Sequence, residues 1–398
     1  MATMVGATAG LQTAQIAGVH MFCLAVGLWL VFGVILQHRG KLRPERPVLI
    51  VVCAALLASS ALIGHLTNSP QVALQLLLLA GTAACLPAFG NQGDIPPILR
   101  GLLITTTVAS VAALLQYAGV LPYEVFLDTD RPIGLYSEPD WLGLFSAVGL
   151  IIAFRTTTGR LRAGLVLLHL TVLLLAAARA AWLAVLVVVV VGYVAAKLSG
   201  KAARVEPMRG GGRLVAAGVL FVAVVLAISP ALRESLQSRI EGIFSARQEV
   251  AVQARQQQTE GLIELARQAP WHGLGLSASG RVGVSGRIEY IGQAANNVAS
   301  NWVLGWWVDG GLLALPLILL FVGAALTRLT VTSGLLLLAV LVNSFFSNAL
   351  LIPIAWLGLG LCLLENGRSE ASRHGPEPGT EFSPILRQRV APGQANDA

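Results

Sequence analysis

Charge is scarce in this chain. Of its 398 residues only 12% are Asp, Glu, Lys or Arg, against 55% hydrophobic, and the mean hydropathy is +0.73. A water-soluble domain needs a charged shell, so this composition excludes one and requires an integral membrane protein. Lysine is scarcer still: Lys41, Lys197 and Lys201 are all there is. Cysteine is limited to Cys23, Cys53, Cys85 and Cys362, each inside an apolar run and none at C-x-x-C or metal-ligand spacing. Neither a disulfide nor a metal site is expected, and no cofactor is implied. The formal charge of +7 and pI of about 9.7 are not read as a nucleic-acid footprint. In a membrane protein such an excess belongs to the loops that hold the topology. No basic segment precedes the first apolar stretch, which is therefore expected to be a retained span and not a cleaved signal.

What is present is a succession of long apolar runs. A helical span needs about 20 mostly apolar residues. Candidate runs lie at 17–37, 47–66, 71–90, 101–120, 139–154, 163–178, 180–196, 214–230, 299–325, 329–347 and 350–364. The last two are interrupted by Asn343, Ser344, Ser347, Asn348 and Pro353. Backbone polar groups must be satisfied within lipid, so helices are the expected state. The fold class expected is all-α, a polytopic bundle of about 11 spans (roughly 10–12). One domain is expected over 1–366, with a long loop at about 231–298 and a disordered polar tail over 367–398.

Basic residues orient the bundle. Arg39, Lys41, Arg43 and Arg46 follow the first run; Arg100 follows the third; Arg155, Arg160 and Arg162 the fifth. Lys197, Lys201, Arg204, Arg209 and Arg213 follow the seventh, Arg328 the ninth, and Arg368 and Arg373 the last. Alternating spans place all of these on one side, cytoplasmic by the positive-inside rule, with the N-terminus outside and the tail inside. The opposite side carries an acidic segment with Glu124, Asp128, Asp130 and Glu138, and the long loop. In that loop Leu236, Ile240 and Ile243, then Leu262, Ile263 and Leu265, suggest one or two amphipathic helices on the membrane surface. Trp271 to Ala295 is rich in glycine and serine and is expected to be irregular.

The outward side also carries arginines that the charge rule does not explain. They are Arg131, Arg179, Arg233, Arg239, Arg247, Arg255, Arg267, Arg281 and Arg287, with no lysine among them. A guanidinium is a planar, permanently charged fork that grips phosphate oxygens bidentately, which suits a diphosphate held at the membrane surface. Plainer readings stand beside this one. Arg179 at a helix end can snorkel to headgroups. Arg233, Arg239, Arg247 and Arg267 can be solvated faces of surface helices. Arg131 can cap a turn or pair with Asp130. His272 can be an ordinary loop residue beside Trp271.

Four segments carry a resemblance. Arg131-x-x-Gly134-x-x-x-x-Pro139-Asp140-x-Leu142-Gly143 resembles the "R-x-x-G…P-N" segment of the bacterial O-antigen ligase and polymerase superfamily. Ala178-Arg179-Ala180-Ala181-Trp182 resembles its "S-R-x-x-W" element. Arg255 to Gly275, with Pro270, Gly273 and Gly275, is similar to its "R…P-x-x-G-x-G" loop. Ser300-Asn301-Trp302-Val303-Leu304 and then Asp309-Gly310-Gly311 resemble "H-N-x-Y-L…E-x-G". The set is in the family's order and spans about Arg131 to Leu315. Ser300 stands where the family often has histidine, Ala178 where it has serine, and Asp140 where it has asparagine. The missing histidine favours polymerase over ligase.

The resemblance implies a metal-independent glycosyltransferase of the bacterial cytoplasmic membrane. It would move an oligosaccharide from a polyprenyl diphosphate carrier to an acceptor glycan on the outer face, in surface or exopolysaccharide assembly. Flippase and chain-length regulator proteins would be partners, and nucleic acid would not. Arg131, Arg179 and Arg255 would hold the diphosphate. Gly134, Gly273, Gly275, Ser300 and Asn301 would line the substrate site. Asp140, Glu138, Glu289 and His272 are the candidate bases. A transporter or flippase of lipid-linked sugars is the rival from another class, weighed against the near absence of charge inside the spans.

Overall fold

The computed structural model describes residues 1–12, 14–37, 45–63, 69–122, 131–198, 250–282, 299–347 and 351–365, and of 34–37 and 250–255 the backbone alone. The run at 214–230, the residues Glu124, Asp128, Asp130 and Glu289, and the tail at 367–398 lie outside them.

The chain is an all-α membrane protein. Its helices are α1 (Ala2–Ala9), α2 (Met21–Gln37), α3 (Glu45–Ser59), α4 (Ser69–Phe89), α5 (Ile95–Tyr117), α6 (Pro139–Thr156), α7 (Gly159–Ala176), α8 (Arg179–Leu198), α9 (Val250–Gln268), α10 (Trp302–Gly310), α11 (Leu315–Leu326), α12 (Thr332–Asn343) and α13 (Pro353–Glu365). Among the described residues six stretches are long and apolar enough to cross a membrane: Glu45–Leu62, Ser69–Phe89, Gln92–Tyr117, Gly159–Ala176, Arg179–Leu198 and Trp302–Leu326. Met21–Gly33, Thr332–Asn343 and Pro353–Glu365 are apolar but shorter.

Burial is unequal around the bundle. On α6 nearly every side chain from Leu142 to Ala153 is buried, so this helix is central. On α8 only Ala181, Ala184 and Val188 are buried, while Leu186, Val189, Val190 and Tyr193 are exposed. An apolar face of that kind is what lipid solvates.

Two features depart from the sequence expectation. The first is α1, which precedes the expected first span and packs along α5. Gly6 lies directly on the carbonyl of Ile98, and Gly101 on the carbonyl of Thr3, while Thr105 Oγ1 donates to the carbonyl of Ala7 at 2.9 Å. Only residues without side chains let two backbones approach so closely, the usual device of helix pairs in lipid. A short hairpin then pairs β1 (Gln15–Ile16) with β2 (Val19–His20) before α2 begins. The second is that the run 299–325 is not one straight helix. It breaks at Gly311 (φ +53°), and a short 3₁₀ turn, Gly311–Ala314, leads into α11.

The helix directions bring distant segments to common ends. Arg155 at the end of α6 donates to the carbonyl of Thr330 at 2.7 Å, just before α12. Gly192, late in α8, packs on Leu335, early in α12. So α12 runs opposite to both α6 and α8, and its end lies where α6 and α8 begin. At the other end Ser333 donates to Glu365, tying the start of α12 to the end of α13.

Candidate functional site

The first cluster is built from the α5–α6 connection and the α7–α8 turn. Gly134 adopts φ +62°, and a Cβ there would stand 2.7 Å from the carbonyl oxygen of Ala109, so only glycine fits without strain. Gln116, buried near the end of α5, fixes this loop. Its Oε1 accepts the amides of Gly134 at 2.7 Å and Ile133 at 3.1 Å. Its Nε2 donates to the carbonyl of Gly134 at 3.1 Å. Tyr136 stacks flat on Phe145, ring centroids 4.6 Å apart, and burial pushes its phenol pKa up.

That loop delivers Arg131 to the start of α6. Its Nη1 lies 3.4 Å from Asp140 Oδ1 and donates to the carbonyl of Ala176 at 3.3 Å. The ion pair is partly open, with side-chain exposures of 14% and 20%. Asp130, the partner considered from sequence, lies outside the described residues; among the described residues Asp140 is a carboxylate that meets Arg131. Pro139 and Asp140 form the first turn of α6 with Glu138 as its N-cap.

Ala177 takes the left-handed conformation (φ +48°) and ends α7, so that α8 starts at Arg179, which is half-buried. The small residues of this element have a packing reason. Ala178 and Ala181 press on Gly143 of α6, leaving no room for a Cβ there. Trp182 Nε1 donates to the carbonyl of Leu173 at 2.9 Å and locks the turn. The first two motif-like segments thus form one contact.

The second cluster joins the other two segments. Leu274 and Gly275 donate to the carbonyls of Val308 and Asp309 at 2.8 and 3.0 Å, and Leu312 donates back to Trp271 at 2.7 Å. Gly273 (φ +76°) sits directly on the backbone of Asp309. Asp309 is fully buried, and its carboxylate accepts the amides of Ser279 at 2.7 Å and Ser277 at 3.2 Å. Two amides on one buried carboxylate satisfy it and clamp the glycine loop to α10. His272 is half-buried, with its Nδ1 2.9 Å from the carbonyl oxygen of Gly273 and its ring edge-on to the exposed Trp271.

Asn301 is the N-cap of α10, accepting the amides of Val303 and Leu304, both at 3.1 Å. Ser300 Oγ donates to Gln258 of α9 at 3.1 Å. Arg255 lies on the same helix, one turn earlier, and its side chain is outside the described residues. The apolar face of α9 is covered by protein: Leu262 is buried among Ala278, Val282, Ala299 and Val308, and Trp307 Nε1 donates to the carbonyl of Ala266 at 3.1 Å. The amphipathic pattern read from sequence is present, but its partner in the described part is α10 and the glycine loop.

Both clusters lie at the same end of the bundle. Trp302 donates to the carbonyl of Ser344 at 3.2 Å, so α10 begins at the end of α12, where α6 and α8 start. Ser69 at the start of α4 donates to the carbonyl of Leu276. Among the described residues no three His, Cys, Asp or Glu side chains gather as a metal site needs. Sequence reasoning missed Gln116. Its only signal was an amide near the end of an otherwise apolar span.

The chain matches no protein-family model and none of the curated proteins.

Proposed function

We propose that the protein is a glycan polymerase acting on the extracytoplasmic face of the cytoplasmic membrane, extending a polyprenyl diphosphate-linked oligosaccharide by transfer to an acceptor glycan. The observation that carries this reading is the gathering of all four motif-like segments at one end of an apolar bundle, with Arg131, Arg179 and Asp140 in or beside one tight turn contact. Arginines that hold a diphosphate more firmly as its charge grows would stabilise the transition state. Confining donor and acceptor together would supply much of the remainder through orientation. Ligase activity toward a lipid core is the near alternative, less favoured because Ser300 replaces the family's histidine and here bonds Gln258.

In this reading the chain has about 11 spans, the site end faces outward and the end with Arg155, Arg328 and Glu365 faces the cytoplasm. The hairpin before α2 is then outside. The helix α1 runs beside α5 in the same direction, so in this reading Met1 lies toward the inner end, against the outside N-terminus expected from charge alone, and the simple alternation holds from α2 onward.

Replacing Arg131, Arg179 and Arg255 singly by alanine is expected to shorten the surface glycan in cells lacking the native gene. Lysine variants should recover only part of the length, because a point charge does not replace the fork. Normal glycan in all three alanine variants at normal protein levels overturns the reading. A second reading, a transporter of lipid-linked sugars, draws on the helix break at Gly311 beside buried Asp309, since broken helices line many transport sites. Purified protein that lengthens a lipid-linked repeat unaided decides for the polymerase.

A further inference from the structure

The carboxylate of Asp140 is a candidate base by position, but its place in the structure suits another task. Its Oδ1 faces Arg131 at 3.4 Å, so the carboxylate stands where it shares the guanidinium with any anion that Arg131 would bind. The pair is longer than the 2.7–2.9 Å typical of tight charge-assisted bonds. It is also partly open to solvent, so a phosphate can compete for the arginine. A second acceptor holds the same guanidinium: the carbonyl of Ala176, in the last turn of α7, at the partially negative end of the helix dipole.

The chemistry of the proposed transfer explains why such competition is useful. The bond between the sugar's anomeric carbon and the phosphate oxygen breaks, and the acceptor oxygen forms a new bond to that carbon. The acceptor's proton leaves to a base or solvent, and the electron pair stays on the carrier diphosphate. The released carrier therefore bears one more negative charge than the donor did. Arginines that stabilise the transition state would also hold this product tightly, and product release would limit turnover.

We infer that Asp140 is a positioning residue, the counter-charge that reclaims Arg131 after transfer and so expels the spent carrier diphosphate. This rests on the glycan-transfer reading above. It also gives the aspartate a role that asparagine, which the resembled family has at this place, would not perform. Asparagine offers an oxygen to Arg131 but no charge to set against a phosphate.

The test uses the full chain in detergent, with farnesyl diphosphate and farnesyl monophosphate as probes. Removing one nearby negative charge is expected to tighten farnesyl diphosphate binding in Asp140→Asn by on the order of tenfold, with a smaller gain for the monophosphate. Asp140→Glu should bind like the wild type. The gain should vanish in the double variant Arg131→Ala/Asp140→Asn, and turnover of Asp140→Asn should show lower kcat together with lower KM. A merely structural role would lower the melting temperature without tightening binding, and that result overturns the inference. So does loss of kcat at unchanged affinity, which makes Asp140 the base. Should Asp140→Asn fold poorly, Asp140→Ser with the same double-variant comparison separates the same outcomes. Arg131-dependent binding without any gain on neutralising Asp140 sinks this inference alone. A wild type that binds no farnesyl diphosphate sinks the glycan-transfer reading and this inference with it.

Discussion

Gln116 shows how much of the candidate site depends on a residue that carries no chemistry. One amide side chain makes three hydrogen bonds to two consecutive residues of the loop that bears Arg131. A buried donor or acceptor left without its partner is worth about 1–3 kcal/mol, and Gln116→Ala strands three. The variant is expected to lower stability by roughly 2–4 kcal/mol, read as a drop in melting temperature in detergent. The 131–138 segment should become more sensitive to protease than the rest of the chain. Gln116→Glu should be no remedy, since its second oxygen would face the carbonyl of Gly134. A melting temperature unchanged in both variants contradicts this account. Arg131 and Gly134 were legible because a charge and a glycine stand out of an apolar background. Gln116 was not, because the residues it holds are seventeen and eighteen positions further on and no local pattern couples them. Asp309 lies between these cases. It was visible as the acidic residue well inside an expected span, but its amide partners at Ser277 and Ser279 are known only from the fold.

At the scale of helices, ten of the apolar runs read from hydropathy overlap helices of the described residues, with ends several positions apart in places, and six such stretches are long and apolar enough to cross a membrane. Hydropathy measures affinity for lipid and says little about breaks or about contacts between equally apolar surfaces. The break at Gly311 therefore escaped it, because Gly310 and Gly311 hardly alter the mean over a 25-residue stretch. Eight residues are too few to cross a bilayer, and α1 escaped for that reason. Of the apolar cluster expected to lie on the membrane surface, Leu262 is buried under protein while Ile263 is exposed, because periodicity cannot tell lipid from protein as the cover. His169 makes the same point inside the bundle. It is wholly buried in α7, bonds Ser110 at 3.1 Å and Thr107 at 3.4 Å on α5, and its ring fills the place where Gly149 of α6 has no Cβ. Three helices thus share one imidazole. Gly149→Ala drives a methyl into that ring and is expected to lower stability by about 1–3 kcal/mol, the range for overpacking. The double change Gly149→Ala/His169→Ala relieves the clash but loses the hydrogen bonds, so the two effects should not add. Additive losses in thermal melts of the two single variants and the double one contradict the shared contact.

For the whole molecule, the distribution of two cationic residue types gives the sharpest test of orientation. Lys41, Lys197 and Lys201 all fall in connections assigned to one side, while the arginines of the site end have no lysine among them. Lys197 lies in the last turn of α8, at the opposite end of that helix from Arg179. Both types are cations, so topology alone would accept either outside. The separation follows if the outer end selects for a planar fork and the inner end only for positive charge. An amine-reactive reagent that cannot cross membranes should leave all three lysines unmodified in intact cells, once outer layers are made permeable. In inverted vesicles Lys41 and Lys201 should react, and Lys197 more slowly because it sits at a helix end near lipid. Mass spectrometry of the lysine-containing peptides reads the outcome. Modification of Lys41 or Lys201 from outside would reverse the assignment and place Arg131, Asp140 and Arg179 in the cytoplasm. A carrier lipid presenting its sugar outside could not reach them there, and the polymerase reading would fall on geometry before any activity was measured.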